Sequence, residues 1–207
     1  MTGKVSCGGL VVRRGRLNEW SRQEIVAQVL TIRCTRKLIK RLDAQVPPAR
    51  AIPTNRLGDW YGNLLFTRRA RLIICVSERS LLPVFVEARD PSSLISRFQE
   101  RVLSVLRRMG AASDVLHSEA REMDQIIIGA TANRRVLGSL NDLAALARFT
   151  IEEHPEIELG AVAIELANTP CAPLSYETPG SVSLALLRRV YPNRVGANGS
   201  RAPAGRR

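Results

Sequence analysis

The chain has 207 residues, 45% of them hydrophobic and only 4% aromatic, a balance that supports one aliphatic core and excludes an intrinsically disordered polymer. Its 31 Lys and Arg against 19 Asp and Glu give a net charge of +12, but residues 1–28 hold five basic and two acidic groups and residues 192–207 hold four and none. The stretch between them keeps 22 basic and 17 acidic side chains, so the folded part is mildly basic, which bears on attraction to polyanions and not on fold.

Residues 1–28 show little periodicity and read as an N-terminal extension, with one short helix over 21–28 signalled by Ser21 and Glu24 at capping-box spacing. In VLTIRCT, 29–35, Leu30, Ile32 and Cys34 alternate with Thr31, Arg33 and Thr35, which predicts a half-buried strand. Thr35 then caps a helix over RKLIKRLD that turns Leu38, Ile39 and Leu42 inward and Arg36, Lys37, Lys40 and Arg41 outward. QVPPARAIP ends it in an extended loop, because each proline restricts its predecessor. Leu57, Trp60, Tyr61, Leu64 and Leu65 recur at helical spacing, so 56–65 reads as one or two helical turns, with a strand as the close alternative. RLIICVS and LLPVFVEA form a hairpin around Ser-Glu-Arg-Ser. The apolar run 72–76 predicts cover on both faces, and Pro83 puts its strand at an edge or a bulge.

DPSSLISRFQERVLSVLRRMG carries the clearest helix, with Asp90 as N-cap, Pro91 at the first position and Gly110 at the end. Leu94, Phe98, Val102, Val105, Leu106 and Met109 form its apolar stripe. A short polar helix follows over 113–122, then a strand in QIIIGAT, then a helix in GSLNDLAALARFTIEEH opened by Ser139 and Asp142 at capping-box spacing. In LGAVAIELANTPCAPL a strand is favoured over 161–166, before a proline-bounded loop; SVSLALLRRVY is the last helix. The pattern is α+β: a small mixed or antiparallel sheet with a central β-hairpin, packed against about four helices. It occupies 29–191 as a single domain, and 192–207 has the composition of a disordered basic tail.

Arg56, Asp59, Trp60, Tyr61, Asn63, Glu78 and Arg79 form a candidate binding cluster, with ring faces to stack a ligand and arginine to contact an anion. The same wording suffices for a structural plug, in which the rings cover the hairpin and Asp or Asn partners their N–H and O–H groups. Arg36, Lys37, Lys40, Arg41, Arg68 and Arg69 are candidate phosphate contacts, joined by the pairs Arg107-Arg108, Arg134-Arg135 and Arg188-Arg189. Sharing one surface, they would make binding fall steeply with salt. No helix-turn-helix, zinc-finger or RNA-recognition motif accompanies them, and solvated edges are their plainer reading. Ser139, Asn141 and Asp142 resemble a catalytic Ser–Asp pair, but a capping box accounts for Ser139 and Asp142. Cys171, on a loop, would need a base and a lowered pKa to act as a nucleophile, and His154 is the nearest histidine in sequence. Cys7, Cys34, Cys75 and Cys171 lie far apart without a Cys-x-x-Cys pair, which excludes zinc-ligand spacing and a disulfide framework. No metal or cofactor is called for. Nothing resembles a signal peptide or a membrane-spanning run, so the chain reads as cytoplasmic and without membrane contact.

LTIRCTRKLIKRL, PTNRLGDWYGNLLFTRRARLIICVSERSLLPV, VLGSLNDLA and LANTPCAPL resemble a family of uncharacterised bacterial proteins, a domain of unknown function, over roughly 30–191. The resemblance implies no reaction, ligand or catalytic residue. It does imply a domain that begins near Leu30, so Val29 is an alternative start and 1–28 is either upstream sequence or an extension peculiar to this chain. Truncation to 29–191 should leave the fold intact. The leading functional expectation is a non-enzymatic binding or interaction module that contacts nucleic acid or a partner protein. The alternatives are a small enzyme with a pocket around Arg56, Asp59, Trp60 and Asn63, and an oligomeric structural component pairing through the Pro83 strand.

Overall fold

A computed structural model describes residues 30–47, 55–68 and 70–188. The helix expected over 21–28, the extension 1–28, the tail 192–207, most of the proline loop and Arg69 lie outside the described residues. Strands β1 (Leu30–Cys34), β2 (Trp60–Phe66), β3 (Arg71–Ser77), β4 (Pro83–Glu87) and β5 (Ile126–Ala130) form one mixed sheet in the order β4-β3-β2-β1-β5. β1 runs parallel to both β2 and β5, while β2, β3 and β4 form an antiparallel meander. The helices among the described residues are α1 (Arg36–Leu42), α2 (Leu94–Arg108), α3 (Ser113–Glu122), α4 (Arg134–Glu153), α5 (Leu159–Ala167) and α6 (Pro179–Arg188), more than the four or so counted from periodicity.

Alternation along β2 shows how helices cover both faces of the sheet. Trp60 meets Phe98 of α2 edge-on, with ring centroids 5.2 Å apart and planes at 82°, and Leu38 of α1 lies against Gly62. An edge-to-face pair of this kind contributes about 0.5–1.5 kcal/mol beyond the area it buries. Tyr61 and Asn63 project the other way and bond to Asn133, at the N-cap of α4, and to Asn141, two turns into it. One face therefore carries α1 and α2, the other α4.

That double cover explains two differences from the sequence reading. β1 is buried along its whole length instead of half-buried, with Thr31 and Arg33 as inaccessible as Leu30 and Ile32. The stretch 56–65 is a turn followed by a strand, not a helix. A strand buried on both faces needs apolar groups at Trp60, Tyr61, Leu64 and Leu65, and that spacing mimics one side of a helix. The strand expected over 161–166 is likewise overturned, because α5 is a helix with Val162, Ala163, Leu166 and Ala167 inward. Its Ala, Leu and Glu content favours that outcome over the Val and Ile that suggested a strand.

Elsewhere the punctuation holds. β4 is an edge strand, with Pro83 opposite Val76 at its start, and the β3–β4 hairpin turns where expected. The Asp90 carboxylate accepts from the Ser92 amide at 3.0 Å, opening a 3-10 turn (Pro91–Ser93) that leads into α2, and Gly110 ends the helix at φ 85°. Ser139 is not a cap. α4 opens five residues earlier, where Asn133 Oδ1 accepts from the amides of Arg135 (3.0 Å) and Val136 (3.5 Å). The Ser139 hydroxyl instead donates to the Arg135 carbonyl within the helix, at 3.3 Å. Thr35 sits at the N-cap of α1 in extended conformation, but its hydroxyl donates to Asn63 Oδ1 at 2.9 Å rather than serving the helix.

Candidate functional site

A tight turn at 55–58 delivers Asp59 into the protein. Gly58 adopts φ 78°, and a Cβ there would approach Arg79 Cγ to 3.1 Å, so both the backbone angle and the space require glycine. Asp59 is fully buried and accepts from Arg33 Nε at 2.6 Å. Arg33 Nη1 also donates to the Ala130 carbonyl at 3.3 Å, across the end of β5. Beside it β5 carries Gly129, where a Cβ would come within 2.8 Å of Thr31 Cγ2, so the close approach of β1 and β5 at this point requires glycine. The hairpin tip is pinned to the same turn, with the Glu78 amide donating to the Asp59 carbonyl (2.7 Å) and the Arg79 amide to that of Leu57 (3.2 Å).

Tyr61 completes this polar layer. Its hydroxyl donates to Glu78 Oε1 at 3.4 Å and accepts from the Asn133 amide at 3.1 Å. Burial, then the nearby Glu78 carboxylate, raises the phenol pKa, and the Arg33 cation partly offsets that. Asn63 Oδ1 accepts from Thr35 and from the Leu64 amide, while Nδ2 donates to Asn141 Oδ1 at 3.4 Å. Arg56 Nη1 donates to the Leu187 carbonyl at 3.4 Å, and Arg79 Nη1 to the Arg56 carbonyl at 3.3 Å.

Of the candidate cluster, the structure therefore gathers Asp59, Tyr61 and Glu78 around Arg33 and Asn133. Trp60 points to the opposite face, and with Trp60 at 1% and Tyr61 at 0% exposure neither ring is open to stack a ligand. Arg56 turns away toward α6 and toward Glu119, whose Oε1 lies 3.9 Å from Arg56 Nη1. Glu119 is buried in α3, and burial pushes its carboxyl up to about 7, with Glu122 adding to the effect and Arg56 opposing it.

The basic candidates behave differently. Arg36, Lys37, Lys40 and Arg41 are all exposed along α1, and Arg68 is exposed in the β2–β3 turn. Arg41 Nη2 donates to the Ala88 carbonyl at 3.3 Å, and the Ala88 amide donates to the Arg71 carbonyl at 2.8 Å. These bonds bring the end of α1, the start of β3 and the segment after β4 together, adding exposed Arg71 and Arg89 to the same surface. Of the acids nearby, Glu87 pairs with Arg89 and Asp90 accepts from Ser92 and Ser93, while Asp43 at the end of α1 is exposed. Among the described residues, none of Arg36, Lys37, Lys40, Arg68 and Arg71 pairs with a carboxylate. Arg107 and Arg108 lie at the end of α2, where Arg108 pairs with Glu158 at 3.0 Å, and Arg134 and Arg135 open α4.

Ser139 and Asp142 share α4 with Asn141. Cys171 is half-buried on the facing loop, with its thiol pKa raised by burial. Cys34 and Cys75 are buried in the sheet, the former pushed up to about 12 by desolvation. Among the described residues no three His, Cys, Asp or Glu side chains are placed to hold a metal ion, and no helix is long and apolar enough to cross a membrane.

The fold and its surfaces define an α+β domain with a buried arginine–carboxylate layer between sheet and α4, and a basic surface beyond α1. The chain belongs to the family described as Domain of unknown function (DUF6933), whose model matches residues 31–182. No curated protein and no solved structure matches it. Sequence reasoning passed over Arg33, Asn133 and Glu119. Arg33 sits at an outward position of an alternating strand, and only knowledge that helices cover both faces would have turned it inward. Arg71 and Arg89 were missed because they are single residues, and only doublets stood out.

Proposed function

We propose that this protein is a non-enzymatic, cytoplasmic binding module that engages nucleic acid through the basic surface formed by α1, the start of β3 and the segment after β4. The carrying observation is the convergence of Arg36, Lys37, Lys40, Arg41, Arg71 and Arg89 from three separate segments, where Glu87 is paired with Arg89 and Asp90 accepts from Ser92 and Ser93. Phosphates neutralised by such groups release counterions, so the surface favours a polyanion over a lone anion. With no recognised base-reading motif in the sequence, we expect backbone contacts without sequence preference. A non-enzymatic role is supported by the polar layer around Asp59 and Tyr61, whose groups are engaged in internal hydrogen bonds.

The test is binding of the full chain to a labelled 30-base-pair duplex and to single-stranded RNA across a salt series, beside a variant with Arg36, Lys37, Lys40 and Arg41 changed to Gln. Four phosphate contacts contribute about 3.6 to the log–log salt slope on duplex. The variant should lose roughly that much slope and bind all sequences equally less well. An unchanged slope would assign the binding to the terminal segments, and absence of binding in the parent would overturn the reading in favour of a protein partner.

A further inference from the structure

We propose that the cavity between α4 and residues 169–173 binds a small amphipathic amine, a primary ammonium on a single-ring or branched-alkyl body. The site goes beyond the polyanion reading, because α4 covers the opposite face of the sheet from α1. The cavity is a cleft of about 200 Å³, partly open to solvent. A dry cavity of about 150 Å³ is enough to hold benzene, so one ring fits. Leu81, Leu143 and Leu146 make its walls, with Pro170 and Pro173 opposite.

The polar groups decide the charge of the ligand. Asp142 is the one charged residue lining the cavity, and among the described residues no cation pairs with it. The Ser139 hydroxyl is engaged by the Arg135 carbonyl. Cys171 Sγ lies 3.5 Å from the Thr169 carbonyl, and burial keeps the thiol protonated. The cavity thus offers an unpaired carboxylate beside apolar walls, with no cation for an anionic ligand and no base to activate the thiol. That combination suits recognition of an ammonium and not catalysis.

The walls are preformed. Cys171 donates its amide to the Glu177 carbonyl (3.1 Å) and accepts at its carbonyl from the amides of Leu174 and Tyr176 (both 3.0 Å), closing residues 171–177 into a wired loop. Leu81 is buried yet held at φ 56°, and Ser175 and Tyr176 sit at 55° and 63°. Left-handed backbone at non-glycine residues persists where the surroundings over-determine it, and it gathers at binding sites.

The test uses the full chain, three probes of one shape (phenethylamine, 2-phenylethanol and 3-phenylpropionate) and the rate of iodoacetamide alkylation at Cys171. Peptide mass spectrometry reads that rate separately from the other cysteines, with glutathione as reference thiol. Phenethylamine should slow the reaction saturably, with the alcohol needing about three- to fivefold more for equal protection, the size of an exposed ion pair, and the acid more still. Asp142→Asn should erase the preference for the amine. Leu146→Arg should do the same, by placing a guanidinium four residues along the helix from Asp142. Both positions are exposed, so neither variant disturbs the core. No saturable protection by the amine, equal protection by all three probes, or a preference that survives Asp142→Asn would overturn the proposal.

Discussion

Glu119→Gln should stabilise this protein at neutral and alkaline pH, against the usual expectation for removing a partner of an arginine. Glu119 is 2% exposed, and Arg56 Nη1 at 3.9 Å is too far to give it a charge-assisted hydrogen bond. Burial, the largest cause, raises the carboxyl from 4.5 to about 7. A carboxyl whose pKa rises on folding holds its proton more tightly in the native state, so stability falls as pH climbs through that window. Below 4.5 both states are protonated and nothing is lost; above 7 both are ionised and the folded state bears the whole cost. At 1.36 kcal/mol per pKa unit that cost is about 3 kcal/mol at pH 8, and less than about 1 kcal/mol at pH 5. Glutamine keeps the shape and never ionises. Thermal unfolding of variant and parent at both pH values reads the effect, and the variant should gain roughly 5–10 °C at pH 8 relative to its difference at pH 5. A variant advantage that fails to grow between pH 5 and 8 would refute the argument, since it would mean that Arg56 holds Glu119 ionised at no cost.

Two further predictions concern the layer between sheet and α4. Asp59→Asn leaves Arg33 buried without its counter-charge and should cost about 3–5 kcal/mol in urea unfolding, whereas the double change Arg33→Met with Asp59→Leu should recover most of it. A single-variant loss under about 1 kcal/mol would show that the pair is not buried in solution as described. Asn133→Ala removes the acceptor for two amides at the start of α4 and should cost about 0.5–2 kcal/mol, while Ser139→Ala, at the position expected to cap, should cost less. The reverse ranking would restore Ser139 as the cap.

How much was legible in the sequence depended on whether the signal was local. Asp90 with Pro91 and Gly110, the spacing over 113–122, and Pro83 on its strand each act through a neighbour or two, and the structure follows all of them. The misses share a different cause, since each turns on an element distant in sequence. Trp60 and Tyr61 are both buried only because α2 and α4 lie on opposite sides of β2. The run at 161–166 was too short for periodicity to separate helix from strand. Glu119 looked like part of a solvated face, because nothing near it in sequence announces that Arg56 comes to meet it. The candidate cluster was recognised by its unusual residues, yet its central charge, Arg33, belongs to a strand whose pattern looked ordinary.

That hidden arginine links the core to the surface. β1 pairs with β2 so that Arg33 stands opposite Tyr61 and, on the other side, Gly129. A slip of one residue would exchange the two faces of β1, driving Arg33 among Trp60 and Leu38 while Ile32 faced Asp59. The charge pair therefore opposes the slipped register more strongly than apolar packing alone, since both faces of β1 are buried and oil-like contacts discriminate poorly between them. Thr35 follows β1 directly and bonds to Asn63, and α1 begins at the next residue. The register set by Arg33 and Asp59 thus also sets where Arg36, Lys37, Lys40 and Arg41 meet solvent, so a pair buried from any ligand is a condition for presenting the basic surface.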